Sequence, residues 1–196
     1  MYADANLYEK LNRVNDPPYQ PIECDLRAAV QSCTERWDLI QGAIDATKPG
    51  VVVDFGCHSG WFCRQFSRLG WDALGIDQSQ LFVDFATLGM KPHNGVPEPR
   101  YVKANVLEFD IPNMDVALVL SVAMYLFDEA EKGWAFFRRV SERAEMMFID
   151  FGGMYANRLP FKETDVLDEM LSRTAFLQGI LLGRTALDRP FFLFRK

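Results

Sequence analysis

The sequence predicts an α/β protein built on a doubly wound, mostly parallel sheet with helices on both faces. Three observations carry that expectation. Short apolar runs alternate with amphipathic helical stretches along most of the chain, the pattern of repeated βαβ units. The first run, Val51–Phe55, is apolar without a two-residue alternation, as in a strand covered on both faces. The last two runs, 180–184 and 191–194, are separated by a short turn and read as an antiparallel hairpin. A chain of 196 residues, 49% hydrophobic and 24% charged, suits one globular domain and excludes a disordered chain or a fibre.

The elements follow in order. Residues 1–21 are polar and marked by prolines 17, 18 and 21, an arm with a short helix at 7–11. Leu26, Val30, Cys33, Trp37, Ile40 and Ile44 fall at spacings of four and three, which predicts an amphipathic helix over 25–47 stopped by Pro49 and Gly50. Strand 51–55 enters a glycine-bearing turn, 56–60, and a helix whose inner face is Phe62, Phe66 and Leu69, with Gly70 after it. Strands are expected at 71–76, 101–106, 116–121 and 146–151. Helices are expected at 78–88, 128–143 and 164–177, the last capped by Thr164 or Asp165. Residues 90–99, rich in Pro and Gly, read as a loop.

Lys and Arg total 21 against 27 for Asp and Glu, a net charge of −6. That argues against a nucleic-acid partner, because Lys and Arg contacts to phosphate supply most non-specific affinity. No run approaches the ~20 apolar residues of a membrane span, and the first residues lack the basic and apolar regions of a signal peptide. The expectation is a cytoplasmic protein without a membrane partner. Cys24, Cys33, Cys57 and Cys63 are read as free thiols. With only His58 and His93 beside them and no CxxC or HxxxH pair, no metal site is expected. Nothing in the sequence sets an oligomeric state.

In a doubly wound sheet ligands bind beyond the carboxyl ends of the strands, where strand order reverses. The first strand end reads Asp54-Phe-Gly56-Cys57-His58-Ser-Gly60. Glycines there bring bare backbone N–H groups to a ligand at a helix N-terminus. The dinucleotide fingerprint G-x-G-x-x-G needs a second glycine where this chain has His58. An acid at Asp54 also suits a smaller cofactor with a cationic part better than a pyrophosphate. The second strand ends at Asp77, followed by Gln78, and a carboxylate there can accept from two vicinal ribose hydroxyls. Asn105 and Val106 end the third strand; an amide that donates and accepts suits the edge of an adenine, or else forms a turn. Ser121 closes the fourth.

From about Val51 onward these residues resemble the class I S-adenosylmethionine-dependent methyltransferases. The resemblance rests on 51–60, on Gly75-Ile-Asp77, and on Asn105 and 118–125. It implies a seven-stranded sheet of order 3-2-1-4-5-7-6 with the last strand antiparallel. It implies S-adenosyl-L-methionine as cofactor. Asp54, Gly56 and Gly60 would hold its methionine part, with Cys57 and His58 in the same turn. Asp77 would hold the ribose and Asn105 with the Val106 amide the adenine, and Gln78 and Ser121 are further cofactor-binding candidates. His58 departs from the family's usual central glycine, and Asn105 from its more common aspartate.

The acceptor is less legible. Tyr19, Tyr125 and Tyr155 are candidates to line its pocket. His58 is either a base or a packing group, Asp150 either a base or structural, and no catalytic residue is assigned. Asp16-Pro-Pro-Tyr19 matches the tetrapeptide that nucleic-acid amino-methylating enzymes carry after their fourth strand; here it precedes the first strand, and that reading is rejected. The expected function is methyl transfer to a small-molecule acceptor. The alternatives are an RNA or protein methyltransferase and an inactive cofactor-binding or partner protein of the same fold. Residues 1–50 are read as an arm and helix forming a lid or substrate cap, with Tyr19, Gln20 and Arg36 near the site, and 51–196 as the cofactor-binding core.

Overall fold

The computed structural model describes residues 20, 33–88, 96–151, 159–185 and 188–196. The expected sites Tyr19 and Tyr155, the helix at 7–11, Cys24 and His93 lie outside them.

The seven strands are β1 (Val51–Phe55), β2 (Asp72–Asp77), β3 (Arg100–Lys103), β4 (Met114–Val119), β5 (Ala144–Asp150), β6 (Gln178–Thr185) and β7 (Arg189–Arg195). They form one sheet in the order β3-β2-β1-β4-β5-β7-β6. β1 runs parallel to β2 on one side and to β4 on the other, and β7 is antiparallel to both β5 and β6. The doubly wound fold class and its strand order are as expected. The helices are α1 (Cys33–Gln41), α2 (Trp61–Arg68), α3 (Gln80–Leu88), α4 (Ala123–Leu126), α5 (Ala130–Arg143) and α6 (Val166–Arg173), the last entered through a 3-10 turn, Glu163–Asp165.

The two-residue period of β1 divides the core. Val53 and Phe55 face the layer that holds α5, where Phe55 meets Phe136 edge-on with ring centroids 5.1 Å apart. Val52 faces the other layer, packed with Trp37 of α1 and with Trp61, Phe62 and Phe66 of α2. The aromatic tail, Phe191 to Phe194, is fully or almost fully buried as a core strand.

Several boundaries differ from the sequence reading. The first helix stops at Gln41 instead of running to 47. Beyond Gly42 the chain turns, and Asp45 accepts hydrogen bonds from both the backbone N–H and the hydroxyl of Thr47; this local bonding competes with the helical ladder. The third strand leaves the sheet at Lys103, because Asn105 draws the next residues into a turn. The helix expected over 164–177 ends at Arg173, and neither Thr164 nor Asp165 caps it through its side chain. The short helix α4 went unread because four residues carry no period.

Phe55→Ala should cost about 3–5 kcal/mol, the price of emptying a filled aromatic site. Urea unfolding with an unchanged m-value would check this, and a loss below about 1 kcal/mol would contradict the packing described.

Candidate functional site

The sheet opens a crevice where β1 lies between β2 and β4, at their carboxyl ends. A cleft of about 530 Å³ occupies it, lined by Gly56, His58, Asp77, Gln78, Phe82, Ala104, Asn105, Val106, Leu107, Leu120, Ser121, Val122, Tyr125, Leu126 and Asp128. Its volume lies in the ~300–1,000 Å³ range of small-ligand sites. Eight residues singled out from the sequence therefore share one cavity: Gly56, His58, Asp77, Gln78, Asn105, Val106, Ser121 and Tyr125.

The glycine turn forms one wall. Gly56 has φ +80°, and a Cβ there would sit 3.0 Å from Val122. Gly60, at φ +76°, begins α2, and a Cβ there would sit 2.5 Å from the Tyr101 ring. Only glycine meets both the backbone angle and the space. His58 adopts φ +51° without that freedom. Its ring lies 3.9 Å from that of Phe82, centroid to centroid. Burial lowers its pKa to about 4, so at neutral pH the imidazole is uncharged.

Asp77 closes the second strand beside the turn. Its Oδ2 accepts from the backbone N–H of His58 at 2.9 Å and its Oδ1 from that of Ser79 at 2.9 Å. Burial pushes its pKa up, while the N–H groups of Ser79, His58 and Gln78 pull it back. Asn105 lines the cleft with its amide in a turn: Oδ1 accepts from Leu107 N at 3.1 Å and Nδ2 donates to Glu108 at 3.2 Å. One N–H of its amide and one lone pair of Oδ1 are not used by these bonds.

Asp54, Cys57 and Gly60 stand behind the cleft wall. Asp54 is buried toward α2, with Cys63 Sγ at 3.8 Å. Its pKa is raised to about 7, first by burial and then by the charge of Asp77, against the pull of Arg36. Burial also lifts the thiols of Cys57 and Cys63 well above their usual range, which leaves both as inert packing groups.

One assembly was missed by sequence reasoning. Arg36, 2% exposed, extends from α1 and donates to Asp150 Oδ2 at 3.1 Å and to Ser121 Oγ at 3.0 Å. Arg189, at the start of β7, donates to the same Ser121 Oγ at 3.0 Å. Asp150 also receives the Ser121 backbone N–H and faces its hydroxyl at 3.3 Å. Ser121 is held by these bonds at φ +57°. Its hydroxyl is thereby saturated, with two guanidiniums on its lone pairs and its proton toward Asp150. Asp150, at 0% exposure, is thus enclosed by Arg36 and Ser121. The sequence signalled only its parts, Arg36 near the site and polar residues at the ends of apolar strands. Among the described residues, no group of three or more His, Cys, Asp or Glu is placed to hold a metal. No helix among them is long and apolar enough to cross a membrane.

Residues 53–149 match the family described as "Methyltransferase domain". The chain carries a class I S-adenosylmethionine-dependent methyltransferase domain. A ubiquinone biosynthesis O-methyltransferase of Bartonella tribocorum (strain CIP 105476 / IBS 506) is 27% identical over 77 residues, 39% of this chain and 31% of that protein. The magnesium protoporphyrin IX methyltransferase ChlM of Synechocystis PCC 6803, solved with bound SAM, superposes with a TM-score of 0.68 at 15% identity over all of both chains. The bifunctional kinase-methyltransferase WbdD superposes with a TM-score of 0.76 at 17% identity, over 97% of this chain and 46% of that one. The chain thus matches less than a third of the length of the O-methyltransferase and spans about half of WbdD.

Two outcomes follow from the buried charges. Arg36→Ala leaves Asp150 buried without its ion-pair partner and should cost about 3–5 kcal/mol in chemical unfolding; a loss under about 1 kcal/mol would contradict the pairing. Asp54 has a folded pKa of about 7 against 3.8 for the ordinary carboxyl. The folded state thus keeps a proton that the unfolded state releases between those values. The stability this contributes is full below pH ~4 and is lost as pH rises through ~7. Asp54→Asn, which cannot ionise, should gain Tm relative to the parent between pH 4 and pH 8. A constant difference across that range would contradict the shift.

Proposed function

We propose that the domain transfers the methyl group of S-adenosylmethionine to a small-molecule acceptor, with an oxygen nucleophile as the first class to test. The carrying observation is the cleft at the point of strand-order reversal, which joins the glycine turn, the Asp77 carboxylate and the Asn105 turn in one small-ligand cavity. The named O-methylating relative favours an oxygen acceptor.

The residues present suit the cofactor. Asp77 holds its charge on backbone N–H groups and retains lone pairs for vicinal hydroxyls. Burial raises both Asp54 and Asp77, and a cationic ligand nearby would relieve that penalty. His58 stays neutral at pH 7 and does not repel such a cation. In this reading Gly56 and His58 line the cradle for the methionine part, and Asp54, Cys57 and Gly60 support it from behind. Asp77 with Gln78 takes the ribose, Asn105 with the Val106 amide takes the adenine edge, and Ser121 fixes the far wall. When bound, S-adenosylmethionine supplies an electrophilic methyl group on its sulfonium.

The chain's own task is then to align the acceptor and exclude water. Tyr125, 49% exposed, borders the acceptor side, with Tyr19 and Tyr155 as its proposed companions. Residues 1–50 serve as the cap over the core 51–196, a reading supported by the contacts of Gln20 and Arg36 with residues of the turn and the cleft wall. Burial makes the His58 imidazole a weak proton acceptor, and the carboxyl groups on the lining are those of Asp77 and Asp128.

Asp77→Ala should weaken binding of S-adenosylmethionine about 10- to 100-fold, the loss of one or two charge-assisted hydrogen bonds, as read by titration calorimetry; unchanged affinity would contradict the ribose assignment. Incubation with methyl-labelled cofactor and separate metabolite, RNA and protein fractions should place label in the metabolites. Label only in RNA or protein, or in no fraction, would overturn the small-molecule reading.

A further inference from the structure

Helix α2 starts without a side-chain cap of its own. Its N-cap is Gly60, which has no side chain to accept a hydrogen bond from the first turn. A helix N-terminus leaves N–H groups that need acceptors, and here the acceptor comes from far away. Gln20, 4% exposed, accepts at Oε1 from the Trp61 N–H at 3.2 Å and from the Ser59 hydroxyl at 2.8 Å. Its Nε2 donates to the Cys57 carbonyl at 3.3 Å. All three bonds end on the stretch 57–61, across gaps of 37 to 41 residues. A buried glutamine loses side-chain entropy when fixed, and a cap supplied by a nearby Ser, Thr or Asp would bind the same N–H without joining two distant segments.

We infer that Gln20 is a positioning residue of the cofactor turn: it caps α2 from the N-terminal segment and holds residues 57–61 in the conformation that binds cofactor. This rests on the proposal that S-adenosylmethionine sits against that turn. Its consequence is that Gln20, although it precedes the first strand by some thirty residues, is coupled to the cofactor site, and its bonds to 57–61 and the binding of cofactor strengthen each other.

The test uses the full chain and S-adenosylhomocysteine as a stable probe. Gln20→Met keeps length and removes all three bonds, whereas Gln20→Glu keeps both acceptor bonds and sets its second oxygen against the Cys57 carbonyl. At a temperature well below unfolding, Gln20→Met should bind the probe roughly tenfold more weakly, and Gln20→Glu should recover part of that affinity. A lower Tm with unchanged affinity in Gln20→Met would reduce the residue to a structural cap and overturn the inference. Hydrogen exchange at the Trp61 amide of the unaltered protein supplies a second readout that needs no variant. Saturating probe should slow it several-fold, and an unchanged rate would overturn the coupling. If the unaltered protein does not bind the probe at all, the cofactor assignment itself fails, an outcome distinct from either of these.

Discussion

The hydrogen bond from the His58 N–H to Asp77 joins the turn after β1 to the end of β2, and the geometry of the cleft depends on it. Parallel strands fix only the relative height of their ends. The segment that leaves β1 must still be told where to go. The Asp77 carboxylate tells it by holding the turn at His58 while also accepting from Ser79 at the start of the next helical segment. The N–H groups of Gly56 and Cys57 meanwhile bond the Ile76 carbonyl. Two strand ends thus become a single rigid corner. A ligand that reaches Asp77 necessarily lies against the glycine turn.

The opposite wall is built on a different principle. Ser121 sits in the left-handed region, which costs a non-glycine residue about 1–3 kcal/mol, and the surrounding structure has to over-determine it. Arg36, Arg189 and Asp150 do so, drawing on α1, β7 and β5. Charges removed from water are expensive, so such a cluster is weak evidence for stability but strong evidence of a fixed geometry. The final hairpin therefore contributes more than an edge to the sheet, since through Arg189 it helps to set the wall of a cleft three strands away.

Much of this was readable from residues alone, and the divide is physical. The inner strands β1, β4, β5 and β7 announced themselves because burial on both faces demands apolar runs, whereas the edge strands β3 and β6 are largely exposed. Strand-end acids and glycines stood out because they interrupt those runs. Gly56, His58, Asp77, Asn105 and Ser121 are such interruptions, and they do share a cavity. Asp54 was legible as a residue, but its distance from the cleft was not: its side chain follows Val52 toward the α2 layer, a matter of strand phase. The second role of Asn105, as a turn former, competes with its first for the same amide. The Arg36, Asp150, Arg189 and Ser121 cluster joins positions up to 153 residues apart, and no spacing rule reports such a contact. Helix ends were misplaced where short polar side chains bonded their own backbone, as at Asp45 and Thr47.

The central claim is that one cofactor lies across the corner made by the glycine turn and Asp77. Backbone amide chemical shifts of the full chain, titrated with S-adenosylhomocysteine, test it most directly. The account predicts that the largest shifts fall on residues 56–60, on Asp77 and Gln78, on Asn105 and Val106, and on Ser121. Smaller changes should fade along the strands. Large shifts confined to the outer strands β6 and β7, or a saturating titration that leaves the amides of 56–60 and Asp77 unmoved, would contradict it.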